Sequence, residues 1–502
     1  MALSLHTLPV ELIYRILDHL DELTIICSCH LVCTRLDAII DTYHRYQVIL
    51  GFIKKSFSLT INHNIMHPFY FLETLTTLDL TSNKIGLEGT IYLAHALQQN
   101  KTLTILNLKH NKIYDDAIKY LADALQKNNT LTILNLDSNG IANQGAQYLG
   151  NALRMNKTLT TLNLDFNQIG YEGIQHLANA LQQNKTLTTL GLENNQTGDR
   201  GAQYLADALQ INKTLTEINL RLNRIRAQGA QYLGDALQQN ETLTALNLGC
   251  NEICAQGAQY LSNTLQINKT LTKLNLEINE IGDEGVHYLT NALKQNETLT
   301  TINFTHNKIT SQGAEYLANA LERNKTLTTL ILKHNEIGDQ GVEHLACSLR
   351  INKTLTTLNL DFNQIAHQGV QHLVNTLQQN KTLTTLNLEN NQIGDQGVQY
   401  LAAALQINKT MTKLNLENNR IGAQGAQYLG DALRQNETLI TLDLSFNRVS
   451  SQGAQYLARS LEQNKALTML NLSYNHVDST IQQLLVTEIL QNNVHLKVLF
   501  ES

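Results

Sequence analysis

The sequence is dominated by a repeating unit of 28 residues, clearest at residues 156–183, NKTLTTLNLDFNQIGYEGIQHLANALQQ. The unit begins with leucines two or three residues apart and ends with apolar residues at helical spacing, from Ile174 to Leu181. This change of apolar period from two to about 3.6 indicates a short strand followed by a helix. Neither element can bury its apolar side alone, so the copies must stack on one another.

The number of repeats can be read from an asparagine that recurs at the turn after each predicted strand. It recurs every 28 residues from Asn83 to Asn475, which gives 15 repeats without an insertion between them. A glycine follows six residues later, replaced only by Ala117 and Ile481, and a tyrosine or histidine follows nine residues later until Leu484. We predict that the asparagine amide satisfies unpaired backbone groups at the turn and that the glycine lets the helix start lie close to the next repeat. The tyrosine or histidine ring should pack while its polar end reaches water or backbone.

The pattern LxxLxLxxN followed by a helix resembles the ribonuclease-inhibitor class of leucine-rich repeat, over residues 73–502. The resemblance implies an α/β solenoid, a horseshoe of 15 or so strand-helix copies. Packed strands lie about 4.8 Å apart and packed helices about 10 Å apart, so such a stack curves with its strands inside. A last half-repeat containing Leu496, Val498 and Leu499 is expected to be shifted by one residue.

Composition narrows the class of protein. A net charge of -6 with 16% charged residues offers no basic surface of the kind that nucleic acid requires. The first residues lack the features of a signal peptide, and no apolar run reaches the 18 or so residues of a membrane span. The six cysteines are too few and too scattered for a disulfide framework, and no zinc-ligand spacing is present. We therefore expect buried thiols in a reducing compartment, cytoplasmic or nuclear.

Most repeat junctions contain a formal glycosylation sequon, Asn-Lys-Thr or Asn-Glu-Thr, for example at Asn100, Asn156, Asn184 and Asn240. Without a secretory signal these sites should never meet the glycosylating enzyme. The alternative explanation is structural, because asparagine favours helix ends and threonine favours strands. We expect the asparagine to end the helix and the threonine to start the next strand.

Residues 1–46 do not carry the repeat and predict a small, apolar, all-helical domain. LPVELIYRILDHL at 8–20, LVCTRLDAII at 31–40 and Tyr43 resemble the F-box, although Leu36 stands where many F-boxes carry tryptophan. In that family the helices bind the Skp-type adaptor of a cullin ubiquitin ligase. The resemblance implies an adaptor contact by Leu8, Pro9, Leu12, Ile16, Leu17, Val32, Cys33 and Leu36. The alternative is an N-terminal cap on the solenoid, and the two roles are compatible.

The aromatic-rich residues 47–72 are expected to form a packed junction that seals the first repeat of the solenoid, which we place at 73–502. On the predicted concave sheet, the exposed positions are mostly threonine and asparagine. Two runs of acidic residues at one position in three neighbouring strands, which we call acidic ladders, interrupt them: Asp137, Asp165 and Glu193, and then Asp361, Glu389 and Glu417. Aromatic residues also stand where several strands end. Such a surface would favour a cationic protein partner. The candidate protein-binding residues are Asp137, Asp165, Phe166, Glu193, Asp361, Phe362, Glu389, Glu417, Phe446 and Tyr474.

Duplication offers a second explanation for these ladders. Residues 156–214 match 352–410 almost throughout, an offset of 196 residues or seven repeats. The second ladder can therefore be an inherited copy, and both can be a solvated acidic wall rather than a binding site.

No catalytic motif stands out, since the sequence has no phosphate-binding glycine loop, HExxH or GxSxG, and no cofactor or metal is expected. His110, His306 and His334 share one position, and we interpret them as surface residues. The sequence predicts a non-enzymatic substrate receptor of an SCF-type ubiquitin ligase, monomeric outside the complex, with an unknown target on the concave sheet. The alternative is an intracellular scaffold or regulator without a ubiquitin role, resembling the repeat half of an immune receptor or RanGAP.

Overall fold

The computed structural model of the protein describes residues 75–483 and 495–500. The F-box-like segment 1–46, with its eight adaptor-contact residues, and the junction 47–72 lie outside these described ranges. The chain divides into two compact units, one running to Thr197 and including Ile211–Leu215, the other comprising Gly198–Gln210 and everything from Thr216 onward.

The first unit alternates strands and helices without interruption. Its described elements are β1 (Thr77–Asp79), α1 (Gly86–Gln99), β2 (Ile105–Asn107), α2 (Asp115–Lys127), β3 (Ile133–Asn135), α3 (Asn143–Met155), β4 (Thr161–Asn163), α4 (Gly170–Leu181) and β5 (Thr189–Gly191). Its five strands form one parallel sheet in sequence order.

The second unit continues the same alternation. Its described elements are α5 (Gly198–Ile211), β6 (Glu217–Asn219), α6 (Ala227–Leu237), β7 (Ala245–Asn247), α7 (Cys254–Ile267), β8 (Lys273–Asn275), α8 (Gly282–Leu293), β9 (Thr301–Asn303), α9 (Ser311–Leu321), β10 (Thr329–Ile331), α10 (Gly338–Leu349), β11 (Thr357–Asn359), α11 (His367–Gln379), β12 (Thr385–Asn387), α12 (Gly394–Ile407), β13 (Lys413–Asn415), α13 (Ala423–Leu433), β14 (Thr441–Asp443), α14 (Ser450–Leu461), β15 (Met469–Asn471) and β16 (Lys497–Leu499). The predicted leucine-rich-repeat architecture of strand-helix copies is confirmed.

Every recorded strand pair joins residues 28 positions apart, as in Thr329 with Thr357. The last strand keeps this register, because Met469 pairs with Lys497. The prediction of a one-residue shift in the last half-repeat was therefore wrong. One apolar side chain is displaced: Leu496, directly before the strand, is buried at a position that holds threonine in the other repeats except at Ile440, while Val498 pairs with Leu470 in the usual register.

The core between sheet and helices is built from leucines of the strands and from leucine, alanine, isoleucine and valine of the helices, nearly all buried. The periodic glycine allows close packing at the start of the helix, but the prediction that it approaches the next repeat was wrong, because its neighbours lie in its own repeat and in the preceding one. A Cβ added at Gly173 would lie 2.7 Å from Ile169 Cγ2 of the same repeat, and 3.0 Å from Ala146 Cβ and 3.1 Å from Asn143 Cα of the preceding repeat. Real Cβ atoms rarely approach so closely, so alanine at Gly173 would force the neighbour to move.

Two asparagine series satisfy the backbone between repeats. At the turn, Asn307 Nδ2 donates to Leu276 O at 2.8 Å, and its Oδ1 accepts from Asn279 N at 3.1 Å and Ile281 N at 3.2 Å. At the junction, Asn156 caps α3, its Nδ2 donating to Leu125 O at 2.7 Å. Both series are buried, so the amides replace water as partners of these backbone groups. The predictions for the turn and junction asparagines are confirmed. The prediction that the junction threonine starts the next strand was wrong, because Thr158 lies three residues before β4.

Candidate protein-binding face

Two positions in each repeat form the carboxyl end of the exposed sheet face. We define the ladder position as the residue two before the turn asparagine, and the strand-exit position as the residue directly before it. All fifteen strand-exit residues, from Ser82 to Tyr474, have positive φ between 51° and 60°. Left-handed backbone is unfavourable for non-glycine residues, above all for a β-branched residue such as Ile278. The fold nevertheless imposes it, because the strand-exit N–H donates to the ladder carbonyl of the next repeat, as Phe166 N does to Glu193 O at 2.7 Å.

The negative charge of the first acidic ladder is partly neutralised by a lysine at the same position of the preceding repeat. Lys109 occupies the ladder position next to Asp137, and its Nζ lies 2.9 Å from Asp137 Oδ2. Asp137 is buried, so the expectation that it lies exposed on the sheet was wrong. Asp165 Oδ1 accepts a hydrogen bond from Glu193 N at 2.7 Å. The carboxylates of Asp137 and Asp165 therefore bond to groups of neighbouring repeats within the sheet.

The second ladder is built in the same way. Asp361 is buried, against the expectation of exposure, and its Oδ1 accepts from Glu389 N at 2.7 Å. Lys333 Nζ lies 3.7 Å from Glu389 Oε2, passing over the intervening repeat. Burial is the main reason that the pKa of Asp361 is raised to about 6; the charge of Glu389 contributes to the rise, whereas hydrogen bonds with Glu389 N and Asn359 oppose it. Burial also raises the pKa of Glu417, and the carboxylates of Glu389, Asp443 and Asp361 add to that shift by repulsion.

The predicted aromatic anchors differ in availability. His334 stacks on Phe362 with ring centroids 3.9 Å apart, and Lys333 Nζ lies 4.9 Å from the centroid of the same ring. Phe362 is consequently half-buried. Phe446 and Tyr474 stack on each other at 4.2 Å with 18° between their planes, and both remain exposed.

The sequence analysis missed the basic residues of the ladder. Besides Lys109 and Lys333, Arg221 occupies this position, and its Nε lies 2.6 Å from Glu277 Oε1 two repeats away. The intervening ladder residue is Gly249, where an added Cβ would lie 2.8 Å from Glu277 Cγ. Comparing the ladder position across all repeats, rather than only its acidic members, would have revealed these cations.

Within the described ranges no group of three or more histidine, cysteine, aspartate or glutamate side chains is placed to hold a metal ion. The rings of His306 and His334 lie edge to face with centroids 6.3 Å apart. Over the same part of the chain, helix length and apolarity never reach what a membrane crossing needs.

Comparisons with known proteins agree with this architecture. The family model of the NLRC3 LRR domain matches residues 138–500, and a leucine rich repeat model matches residues 72–94 and 99–122. Residues 1–71 lie outside both matches. The comparison with curated proteins gave no match.

Three of the solved structures to which this chain is similar are the following. The Rad7 and Elc1 complex in yeast gives 18% identity and a TM-score of 0.45 over 81% of this chain and 86% of that one. The TLR13-ssRNA13 complex gives 20% identity and a TM-score of 0.49 over 84% and 62%. Leiomodin-1 actin-binding site 2 gives 22% identity and a TM-score of 0.27 over 30% and 88%.

Proposed function

The chain belongs to the family of NLRC3-type leucine-rich repeat domains. We propose that it binds a protein through these repeats and, because of its F-box-like N-terminal sequence, that it is the substrate-recognition subunit of an SCF-type cullin ubiquitin ligase. Leucine-rich repeat families typically serve as non-catalytic binding scaffolds, and the comparisons indicate no family of enzymes. Binding of a protein is the coarser role that this membership supports.

The observation that carries the binding role is the exposed sheet face. In each unit, parallel strands in constant register present one continuous surface of side chains. Their strand-exit residues point bulky groups outward at a fixed backbone conformation, as Phe446 and Tyr474 do. Because the backbone is rigidly paired, presenting these side chains costs little conformational entropy on binding.

The ubiquitin ligase role depends on the F-box-like sequence at the N-terminus. The leucine-proline start at Leu8 and Pro9 and the pair Val32 and Cys33 support an adaptor contact. Such a helical segment of about 40 residues buries little by itself and gains stability by laying its apolar helices against a partner. We place the complex in the cytoplasm or nucleus, where such ligases meet their substrates.

The test is capture of a recombinant Skp-type adaptor by the full-length chain. A Leu8→Ala, Pro9→Ala double variant should lose capture, while Phe446→Asn, which changes only the sheet face, should retain it. Equal capture by wild type and the double variant, or no capture by wild type, would refute the assignment. The second outcome would favour a scaffold without a ubiquitin role, and a GTP hydrolysis assay with Ran would then test the RanGAP-like alternative.

A further inference from the structure

Two neighbouring repeats near the carboxyl end each expose an apolar side chain at both ends of their strand, which no other described repeat does. Ile440 and Met469 lie at the amino ends of β14 and β15 and are 43% and 38% exposed, whereas Phe446 and Tyr474 lie at the carboxyl ends and are 49% and 43% exposed. Isolated exposed apolar residues are ordinary on protein surfaces, but four on two paired strands form a patch. Both ends of the β14–β15 pair are therefore apolar.

Ile440 departs from the repeat rather than following it. The equivalent position is threonine in every other repeat from Thr76 to Thr468. Those threonines bond across the sheet, as Thr412 Oγ1 does to Thr384 O at 3.2 Å. Isoleucine gives up that hydrogen bond and exposes a side chain to water. Duplication does not account for the patch, because the positions 196 residues before Ile440, Asp443 and Phe446 hold Thr244, Asn247 and Cys250.

Charge is distributed unevenly along the strands of this face, with acidic residues toward their carboxyl ends and lysines at their amino ends. Asp443 stands in β14 where most repeats have asparagine, and Glu417 lies at the ladder position of the preceding repeat. The half-buried Glu417 is repelled by the surrounding carboxylates, so negative potential gathers at the carboxyl ends of the strands. Lys413 and Lys497, by contrast, occupy the first positions of the flanking strands β13 and β16. A basic side chain bound here would therefore be drawn toward the end that carries the stacked rings.

We propose that the surface formed by Ile440, Asp443, Phe446, Met469 and Tyr474 binds an extended protein segment with two apolar side chains and a basic side chain beside one of them. Ile440 and Phe446 stand six positions apart, and only Thr441–Asp443 between them is strand, so their separation is at most about 20 Å at a strand rise of about 3.3 Å per residue. The bound segment, being extended, needs a similar separation between its apolar anchors. The basic side chain lies next to the anchor that packs on Phe446 and Tyr474. This inference rests on the proposed function, since it specifies the target of the sheet face.

The probe is a fluorescein-labelled synthetic peptide with two leucines six positions apart, an arginine beside one leucine and serine elsewhere, titrated with the full-length chain in an anisotropy assay. Replacing the arginine by glutamate, or both leucines by serine, should weaken binding at least about tenfold. Equal binding of the three peptides, or no binding of the first, would overturn the inference.

The variants exchange each residue for one found at the same position in other repeats, so that the fold is kept. Ile440→Thr and Phe446→Asn should each weaken peptide binding about tenfold. Asp443→Asn should weaken it about threefold and reduce its dependence on salt. Phe166→Asn is the matched control, because Phe166 is an exposed strand-exit aromatic of the first unit, and it should leave the affinity unchanged. Equal affinity of all four variants, or an equal loss in Phe166→Asn, would overturn the proposed location.

Adaptor capture separates this inference from the proposed function. A chain that captures the adaptor without discriminating among the peptides overturns the inference and leaves the ligase role standing. A chain that discriminates among the peptides without capturing the adaptor overturns the ligase role and leaves the surface standing.

Discussion

Asp283 caps the helix of the following repeat through Thr310. Its Oδ1 accepts from Thr310 N at 2.9 Å and from Gly313 N at 3.0 Å, and its Oδ2 accepts from Thr310 Oγ1 at 2.6 Å. Asp199 and Asp395 bond the next repeat in the same manner. A carboxylate at a helix N-terminus also interacts favourably with the helix dipole. In these cases an aspartate of one repeat caps the N-terminus of the helix in the next repeat.

Replacing Asp283 by alanine should destabilise the helix α9 that it caps. The change removes three hydrogen bonds at a helix N-terminus, so we expect a loss of about 1–2 kcal/mol in the free energy of unfolding. Urea denaturation of the full chain measures the loss, and amide hydrogen exchange should place it at residues 311–321. The exposed Asp207 of α5 is the control, since Asp207→Ala should change stability by less than about 0.5 kcal/mol. Equal effects of the two substitutions would contradict the capping role.

The turn asparagines should contribute different amounts to the free energy of unfolding, according to the hydrogen bonds that each one makes. Asn307 uses both amide atoms, whereas the buried Oδ1 of Asn419 has no hydrogen-bond partner among the described residues. Asn307→Ala should therefore cost about 1–3 kcal/mol more than Asn419→Ala, because it leaves additional buried N–H groups unsatisfied. Parallel urea denaturation of the two variants measures this difference. Indistinguishable midpoints would mean that the acceptor bonds add nothing to stability.

Asp361 should make the protein more stable in mild acid. Its pKa in the folded protein is raised to about 6 from an ordinary value of 3.8, so the folded state takes up a proton before the unfolded chain does. Its unfavourable contribution is present above pH 6 or so, diminishes as the pH falls through that value and is absent below the unfolded pKa. Asp361→Asn should raise the free energy of unfolding at pH 7 by on the order of 1–2 kcal/mol.

The measurement for Asp361 is urea denaturation at pH 7 and pH 5. Wild type should gain stability at the lower pH relative to Asp361→Asn. The comparison variant is Asp137→Asn, which breaks the 2.9 Å ion pair with Lys109 and should lower stability at pH 7. Destabilisation of Asp361→Asn at pH 7 would show that its hydrogen bond from Glu389 outweighs the burial of charge.

The sequon asparagines should resist glycosylation even when the chain is directed through a secretory pathway. The amide of Asn156 is buried, and its Oδ1 accepts from Leu159 N at 2.8 Å. A glycan at Nδ2 would break the bond to Leu125 O and open the stack. Mass spectrometry of folded, secreted protein should find Asn156 unmodified, and Asn156→Gln should destabilise the chain without any glycan being lost. Full occupancy of Asn156 in a folded chain would refute the structural explanation.

The sequence predicted the fold because every strand-helix copy repeats the same apolar pattern, so the position of each described element follows from one unit. The asparagine roles were likewise predictable, since a buried amide has few alternatives to backbone bonding. The face was harder to predict. Whether Asp137 is exposed depends on Lys109 one repeat earlier, and whether Phe362 is free depends on His334 and Lys333. Those relationships run between repeats, and a single unit does not display them.

The left-handed strand exits were not anticipated either, because their side chains range from Ser82 to Ile278 without the usual preference for glycine. Backbone pairing to the next copy decides that conformation, and the local sequence does not. The register of β16 gives a second case: the displaced apolar pattern suggested a shift, but hydrogen bonding to β15 kept the strand in place.

The constant 28-residue offset of the strand pairs also affects how such a chain can change its length. Unequal recombination between equivalent points of two repeats adds or removes whole repeats. The strands that it joins keep the same register, so the hydrophobic contacts between repeats are kept. The aspartate caps add a condition: loss of a single copy can leave a carboxylate facing a helix start that does not receive it, whereas loss of a cap-supplying copy together with the copy that receives the cap leaves the other caps matched. Natural variants of this array should therefore more readily gain or lose a capping repeat together with the repeat that it caps.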